Sequence, residues 1–171
     1  MHDPDVVEIR ELSADDWKVW RELRLAALAE APYAFGTRLA DWQGEGDREE
    51  RWRQRLGAPG SYHVVALLDG RPVGIAGGIP TADEDVAELI AMWVAPDARG
   101  HGVGDRLVAA VQRWASRVGA TQLRLSVAEG NDAARALYER CGFRLTGEPP
   151  GRMPDGVRRE HVLAKALDAA P

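Results

Sequence analysis

Apolar and polar residues change their spacing several times along the chain, and each change predicts an element. Residues 6–12, VVEIREL, alternate and read as a short strand ending near Leu12. From Ser13 or Asp15, either of which can cap a helix, the spacing becomes helical. Trp17, Trp20, Leu23, Ala27 and Leu28 share one broad face through Ala29, and Pro32 ends the run. A loop-like stretch, FGTRLADWQGEG, leads to a second, short helix over residues 47–56, in which Trp52 and Leu56 stand four apart.

Three strand patterns follow in quick succession: YHVVALL (62–68), RPVGIAGGI (71–79) and VAELIAMWV (86–94). Asp69 and Gly70 give a hairpin turn signal, and TADED separates the second strand from the third, which predicts an antiparallel meander. Residues 105–120 return to helical spacing through Leu107, Val111, Trp114 and Val118 and stop at Gly119. QLRLSV (122–127) alternates, with Leu123, Leu125 and Val127 inward. Asn131 can cap a helix over 132–141 that closes at Gly142. FRLTGE and RREHVLAKAL, joined by PPGRMPDGV, read as a last hairpin, with a frayed tail beyond Leu167. Strand, helix, helix, three strands, helix, strand, helix and two strands predict a mixed sheet flanked by helices.

Composition narrows the field. A chain of 171 residues fits one domain, 1–171, with a core that needs no metal or disulfide. No apolar run nears the roughly 18 residues that would span a bilayer. The acidic N-terminus is no secretory signal, and a lone Cys141 suits a reducing cytoplasm. A net charge of -5 argues against a general nucleic-acid binder. His2, His63, His101 and His161 have no metal-ligand spacing, so no metal is expected. Residues 1–93 carry 18 acids and 10 bases, whereas residues 94–171 carry 9 acids and 12 bases. One reading draws a cationic ligand to the first half and an anionic one to the second; the other is uneven scatter of solvated charge.

The strongest chemical signal is VAPDARGHGVGDRL, residues 94–107. Glycine is costly in ordered backbone, so Gly100, Gly102 and Gly104 need a reason. Between a strand and a helix start, glycines let an anion approach main-chain N–H groups that have no intrahelical partner. A nucleotide-hydrolase phosphate loop would need Lys after Gly104, and a dinucleotide fingerprint would need a third glycine later; Asp105 follows instead.

What remains is Arg99, two residues, Gly102, one residue, Gly104, after a strand ending MWVAP. This segment closely resembles the pyrophosphate-binding signature of the GNAT superfamily, the acetyl-coenzyme A dependent N-acyltransferases. NDAARALYERCGF (131–143) is similar to a second pattern of the same family, and APYAFGT and RWRQRL resemble words found in many bacterial members. The resemblance implies an α/β (α+β) fold with a mixed, mostly antiparallel central sheet of about seven strands and about four helices. It places acceptor-side helices within 13–56 and an acetyl-CoA-binding core within 86–143. It also implies a strand bulge, invisible in sequence, that frees main-chain groups of Met92, Trp93 and Val94 for the thioester and pantetheine.

By the same resemblance, the N–H groups of Arg99, Gly100, His101, Gly102, Val103 and Gly104 cradle the pyrophosphate of acetyl-CoA, and Asn131 holds the pantetheine arm. Tyr138 becomes the acid that protonates the leaving thiolate, its alternative being an amphipathic core tyrosine. Glu88, on the face expected to hold Ile90, Met92 and Val94, is either the general base or an ordinary strand-end carboxylate. Ser126 is expected at the cleft, Cys141 as a packed apolar group, and Asp83, Glu84 and Asp85 as a solvated turn. The expected reaction is acetyl transfer to a small-molecule or peptide amine in a ternary complex, without metal, nucleic acid or membrane. A homodimer is a family-level expectation. The competing class is a binding module that senses acyl-coenzyme A without turnover.

Overall fold

A computed structural model describes residues 6–30, 39–152 and 159–167. Pro32, the segment 31–37, His2, most of the loop 149–157 and the tail beyond Leu167 lie outside the described residues. The elements run β1 (Val7–Glu11), α1 (Trp17–Glu30), α2 (Glu49–Leu56), β2 (Tyr62–Leu68), β3 (Arg71–Pro80), β4 (Val86–Val94), α3 (Val103–Arg117), β5 (Gln122–Ala128), α4 (Asp132–Arg140), β6 (Arg144–Leu145), β7 (Gly151–Arg152) and β8 (Arg159–Ala166). Helix α1 is led in by a 3-10 turn, Ala14–Asp16, where the Asp16 carboxylate accepts from the Ser13 N–H at 2.8 Å. The stretch expected as loop before α2 holds two 3-10 turns, Leu39–Trp42 and Gly44–Gly46.

The sheet order is β1-β2-β3-β4-β5-β8-β6, with β7 also on β8. All pairings are antiparallel except β4 with β5. Asp69 and Gly70 both take positive φ, 51° and 82°, as the predicted two-residue hairpin requires. Strand β6 is shorter than the expected 143–148: after the Thr146 N–H bonds the Val162 carbonyl, Gly147 turns away at φ 85°.

Two cores sandwich the sheet. On one face Leu107, Val111 and Trp114 of α3 pack with Leu123, Leu125 and Val127 of β5 and with Phe143. On the other, Trp20, Leu23, Ala27 and Leu28 of α1 and Trp52 and Leu56 of α2 cover Val65, Ile75 and Trp93. Strands β2 and β3 are buried on both sides, so their sequences are near-continuous apolar runs rather than alternating ones.

Strand β4 departs from regularity at one place. Gly77 pairs with Ile90 and Ile75 pairs with Trp93, so Ala91 and Met92 together face Ala76. Ala91 adopts φ 56°, the left-handed turn that accommodates the extra residue. The bulge inverts the alternation beyond it, which corrects the period-two expectation for this strand. Trp93 joins Glu88 and Ile90 on the α1–α2 face, while Met92 and Val94 pack into the α3 core. Pairing of β4 with β5 covers only Val86–Glu88 against Gln122–Arg124, so the two strands part beyond Glu88.

Candidate active site

The parting strands open onto the glycine-rich turn. After Val94 a 3-10 turn, Pro96–Ala98, carries the chain to Gly100 at φ 88° and to Gly102, the N-cap of α3, at φ 77°. A Cβ at either of these glycines would meet nothing within 4 Å, so it is the left-handed backbone that calls for glycine. Gly104 answers a different need: a Cβ there would stand 3.0 Å from Leu137 Cδ2 and 3.4 Å from Met92 Cε, so its absence lets α4 lie close. The first helical bond of α3 runs from the Arg106 N–H to the Gly102 carbonyl at 3.2 Å, and the N–H groups of the preceding turn precede that ladder.

A cleft of about 590 Å³ lies over this turn. It is bordered by Met92, Trp93 and Val94, by Arg99, Gly100, Gly102, Val103 and Gly104, and by Asn131 and Tyr138. His101, exposed at the outer side of the turn, is not in its lining, and neither is Glu88. Arg99 keeps its guanidinium on protein partners: Nε donates to the Val94 carbonyl at 3.1 Å and Nη2 to Glu30 at 3.0 Å. Glu30 also accepts from the Trp93 indole at 3.1 Å, so the end of α1 clamps strand end and turn together. Nothing in the sequence pattern singled out Glu30, because its partners lie more than sixty residues away.

Helix α4 forms the opposite wall. The Asn131 side chain caps it, accepting from the Ala134 N–H at 3.4 Å, while the same residue borders the cleft. Tyr138 is buried edge-on to Phe143, ring centroids 6.1 Å apart. Burial, and the nearby Cys141, push its phenol above the usual value, so the hydroxyl is a protonated donor at neutral pH. Cys141 donates to Asp105 at 3.5 Å, and burial raises its thiol as well, as suits a packed residue rather than a nucleophile.

On the α1–α2 side of β4 lies a second cavity of about 450 Å³. Met92 and Tyr138 border both cavities, so the two meet at the bulge. Glu88, Ser126 and Glu160 line one side of the second cavity, and Arg24, Arg51 and Arg55 line the other. Burial, helped by Glu160 and opposed by Arg124, raises the Glu88 carboxyl above the ordinary carboxylate range. The arginines were missed in the sequence, although one sign existed: Arg24 falls on the apolar face of α1 between Trp20 and Leu28, and a charge there needs an explanation.

A mixed sheet that splays beside a glycine-rich helix opening, with a second cavity meeting the first at the bulge, is the architecture against which known families can be compared. The chain belongs to the Acetyltransferase (GNAT) family, whose model matches residues 10–143. The aminoglycoside N(6')-acetyltransferase type 1 of Stenotrophomonas maltophilia is 31% identical over 134 residues, covering 72% of this chain and 86% of its own. A GCN5-related N-acetyltransferase from Kribbella flavida superposes with a TM-score of 0.74 at 26% identity, over 96% of this chain and 100% of that one. The spermidine N-acetyltransferase of Vibrio cholerae, solved with CoA and spermine, shares the fold at a TM-score of 0.76 and 17% identity, over 94% of this chain and 95% of that one. The enzyme is thus a GNAT-type N-acetyltransferase, of a family that uses acetyl-CoA. Among the described residues no helix is long and apolar enough to cross a membrane.

Proposed function

We propose that the protein moves the acetyl group of acetyl-CoA to a primary amine by direct attack in a ternary complex. The observation that carries this reading is the meeting of two cavities at the β4 bulge beside one buried tyrosine. A volume near 590 Å³ suits a sizeable organic ligand, and the left-handed glycines with the α3 opening suit a diphosphate. When bound, acetyl-CoA supplies an activated acyl group as a thioester, whose C–S bond breaks as the C–N bond forms.

The chain's own groups divide the remaining work. N–H groups of residues 100–104 hold the diphosphate, and main chain at Met92, Trp93 and Val94 polarises the thioester carbonyl. Asn131 orients the pantetheine arm while capping α4. An aliphatic ammonium has a pKa of about 10.4, so a proton must leave before attack. Glu88, on the second-cavity side, accepts that proton directly or through one water, and its raised pKa makes it a stronger base than an exposed carboxylate. Tyr138, reaching both cavities, delivers a proton to the departing sulfur. Helices within 13–56 shape the acceptor side. Mixing enzyme, acetyl-CoA and a broad amine panel tests the reading through release of free thiol. Turnover that needs both acetyl-CoA and an amine is the expected result, whereas tight coenzyme A binding with no turnover for any amine identifies a binding module instead.

A further inference from the structure

The second cavity has opposite charges at its two sides, and that polarity names a class of acceptor. Arg24 comes from α1 and is buried; Arg51 and Arg55 stand one turn apart on α2. Arg51 stacks its guanidinium 3.7 Å over the Trp42 ring and donates to the carbonyl of Gly46 at 3.1 Å and to that of Asp41, both neutral groups. Arg55 makes no ion pair among the described residues. The three cations feel one another: Arg24 is lowered to about 10 by burial and by Arg55, and Arg55 is lowered by burial and by Arg51. His63, buried behind them against Trp20, is held to about 4 by burial and by Arg55. On the sheet side of the cavity Glu88 and Glu160, from β4 and β8, lie near enough for Glu160 to help raise the Glu88 carboxyl. Arg51 and Arg55 repel each other in this partly desolvated cavity, a cost that an anion bound beside them would remove.

We infer that the acceptor is an amine that also carries an anionic group, a carboxylate or a phosphate, which Arg55 and its two neighbours bind while Glu88 and Glu160 face the amine. This rests on the proposed function and narrows it. It also reverses the simple reading of charge along the sequence. The first half is acidic in sum, yet the residues it turns toward this cavity from α1 and α2 are arginines. Polyamines and other purely cationic amines would meet three guanidinium groups, whereas an amino-acid-like or phosphorylated amine complements both ends.

Pairs of primary amines with and without an anionic tail test the inference, with rates compared per neutral amine: 4-aminobutyrate against butylamine for carboxylate, and phosphoethanolamine against ethanolamine for phosphate. The anionic member of at least one pair is expected to have the higher kcat/KM by about tenfold or more, the scale of one charge-assisted hydrogen bond. Which pair responds identifies the anion. Arg55→Gln, which removes the charge and keeps most of the side chain's length, should bring that ratio near unity by raising KM for the anionic member, with coenzyme A affinity kept as the sign of a folded protein. Equal or better turnover of the uncharged-tail amines, with acetyl-CoA still consumed, overturns the inference and leaves the acetyltransferase reading intact. If no amine is turned over, inorganic phosphate serves as the probe on coenzyme A-saturated protein, in which the glycine turn is already filled. A rise in Tm lost in Arg55→Gln supports the anion site, and no rise overturns it. Failure of coenzyme A to bind counts against the proposed function alone, and the phosphate shift is then compared between the parent protein and Arg55→Gln.

Discussion

The two cavities that meet at the β4 bulge are built in different ways. The first is opened by backbone conformation, a left-handed glycine pair, the opening turn of α3 and a splayed strand end, and is closed by α4 side chains such as Tyr138. The second is made of side chains that converge from α1, α2, β4, β5 and β8. A backbone site of this kind demands glycines at fixed spacing, because the left-handed conformation at Gly100 and Gly102 leaves little other choice. A side-chain site can change its acceptor by exchanging single residues without touching the sheet. If the first cavity takes the donor and the second the acceptor, as proposed, the donor side is fixed by conformation and the acceptor side by chemistry that is cheap to alter, which lets one fold serve many acceptors.

Substitutions at the junction should have the largest effect. Tyr138→Phe keeps the ring packed on Phe143 and removes only the hydroxyl that would give the proton, so kcat should fall about 10²–10⁴-fold with acetyl-CoA affinity unchanged, read by steady-state kinetics and calorimetry. Glu88→Gln comes next, with a loss of about 10²-fold. As the proposed base, Glu88 must be ionised to act, and its pKa is raised, so kcat/KM should fall with acid at a higher pH than an unperturbed carboxylate would dictate. That acid limb should vanish in Glu88→Gln. The sign for stability is opposite: a carboxyl whose folded pKa is raised favours the fold at low pH and loses that contribution as pH rises, so the glutamine variant should be no less stable at pH 7. A limb that persists in the variant assigns the base elsewhere.

Gly102→Val probes the donor side alone. It forces a β-branched residue to φ 77° in the N-cap of α3, at a cost of about 1–2 kcal/mol, and should weaken coenzyme A binding about tenfold with the acceptor KM little changed. The smallest effect is expected from the acceptor-side scaffold. Asp47 accepts from Arg21 Nε at 2.7 Å and from Arg21 Nη2, tying α2's approach to α1, and from the buried Trp52 indole at 2.8 Å. Asp47→Ala orphans that indole and should cost about 1–2 kcal/mol after screening, seen as a few degrees in Tm. Arg21 and Trp52 hold the Asp47 carboxyl down to about 2. Its contribution is therefore whole above the ordinary carboxylate value of about 3.9 and is lost as pH falls through about 2.

The same contrast decides what the sequence discloses. The proposed donor side lies in two short windows, 94–107 and 131–143, so its glycines, Asn131 and Tyr138 are visible to local spacing and to family resemblance. Element boundaries follow hydrophobic period closely, and β2 and β4 match their predicted spans. The bulge is hidden because Ala91 is an ordinary residue for a strand, and only pairing with β3 reveals the extra residue. Without it, Met92 and Val94 are assigned to the wrong face. The arginine group is hidden for another reason: each member looks like a surface helix residue until α1 and α2 are packed together on the sheet. Arg24 alone carried a local sign, a charge within an apolar stripe.

Amide chemical shifts followed during a coenzyme A titration test the central claim most directly, namely that main-chain donors at the opening of α3 hold the donor while the arginine side stays open for the acceptor. Large, saturable shifts are expected at Gly100, Gly102, Val103 and Gly104 and at Met92, with little change at Arg51 and Arg55. Shifts confined to the arginine cavity, or a titration that leaves the glycine turn unmoved, would contradict it.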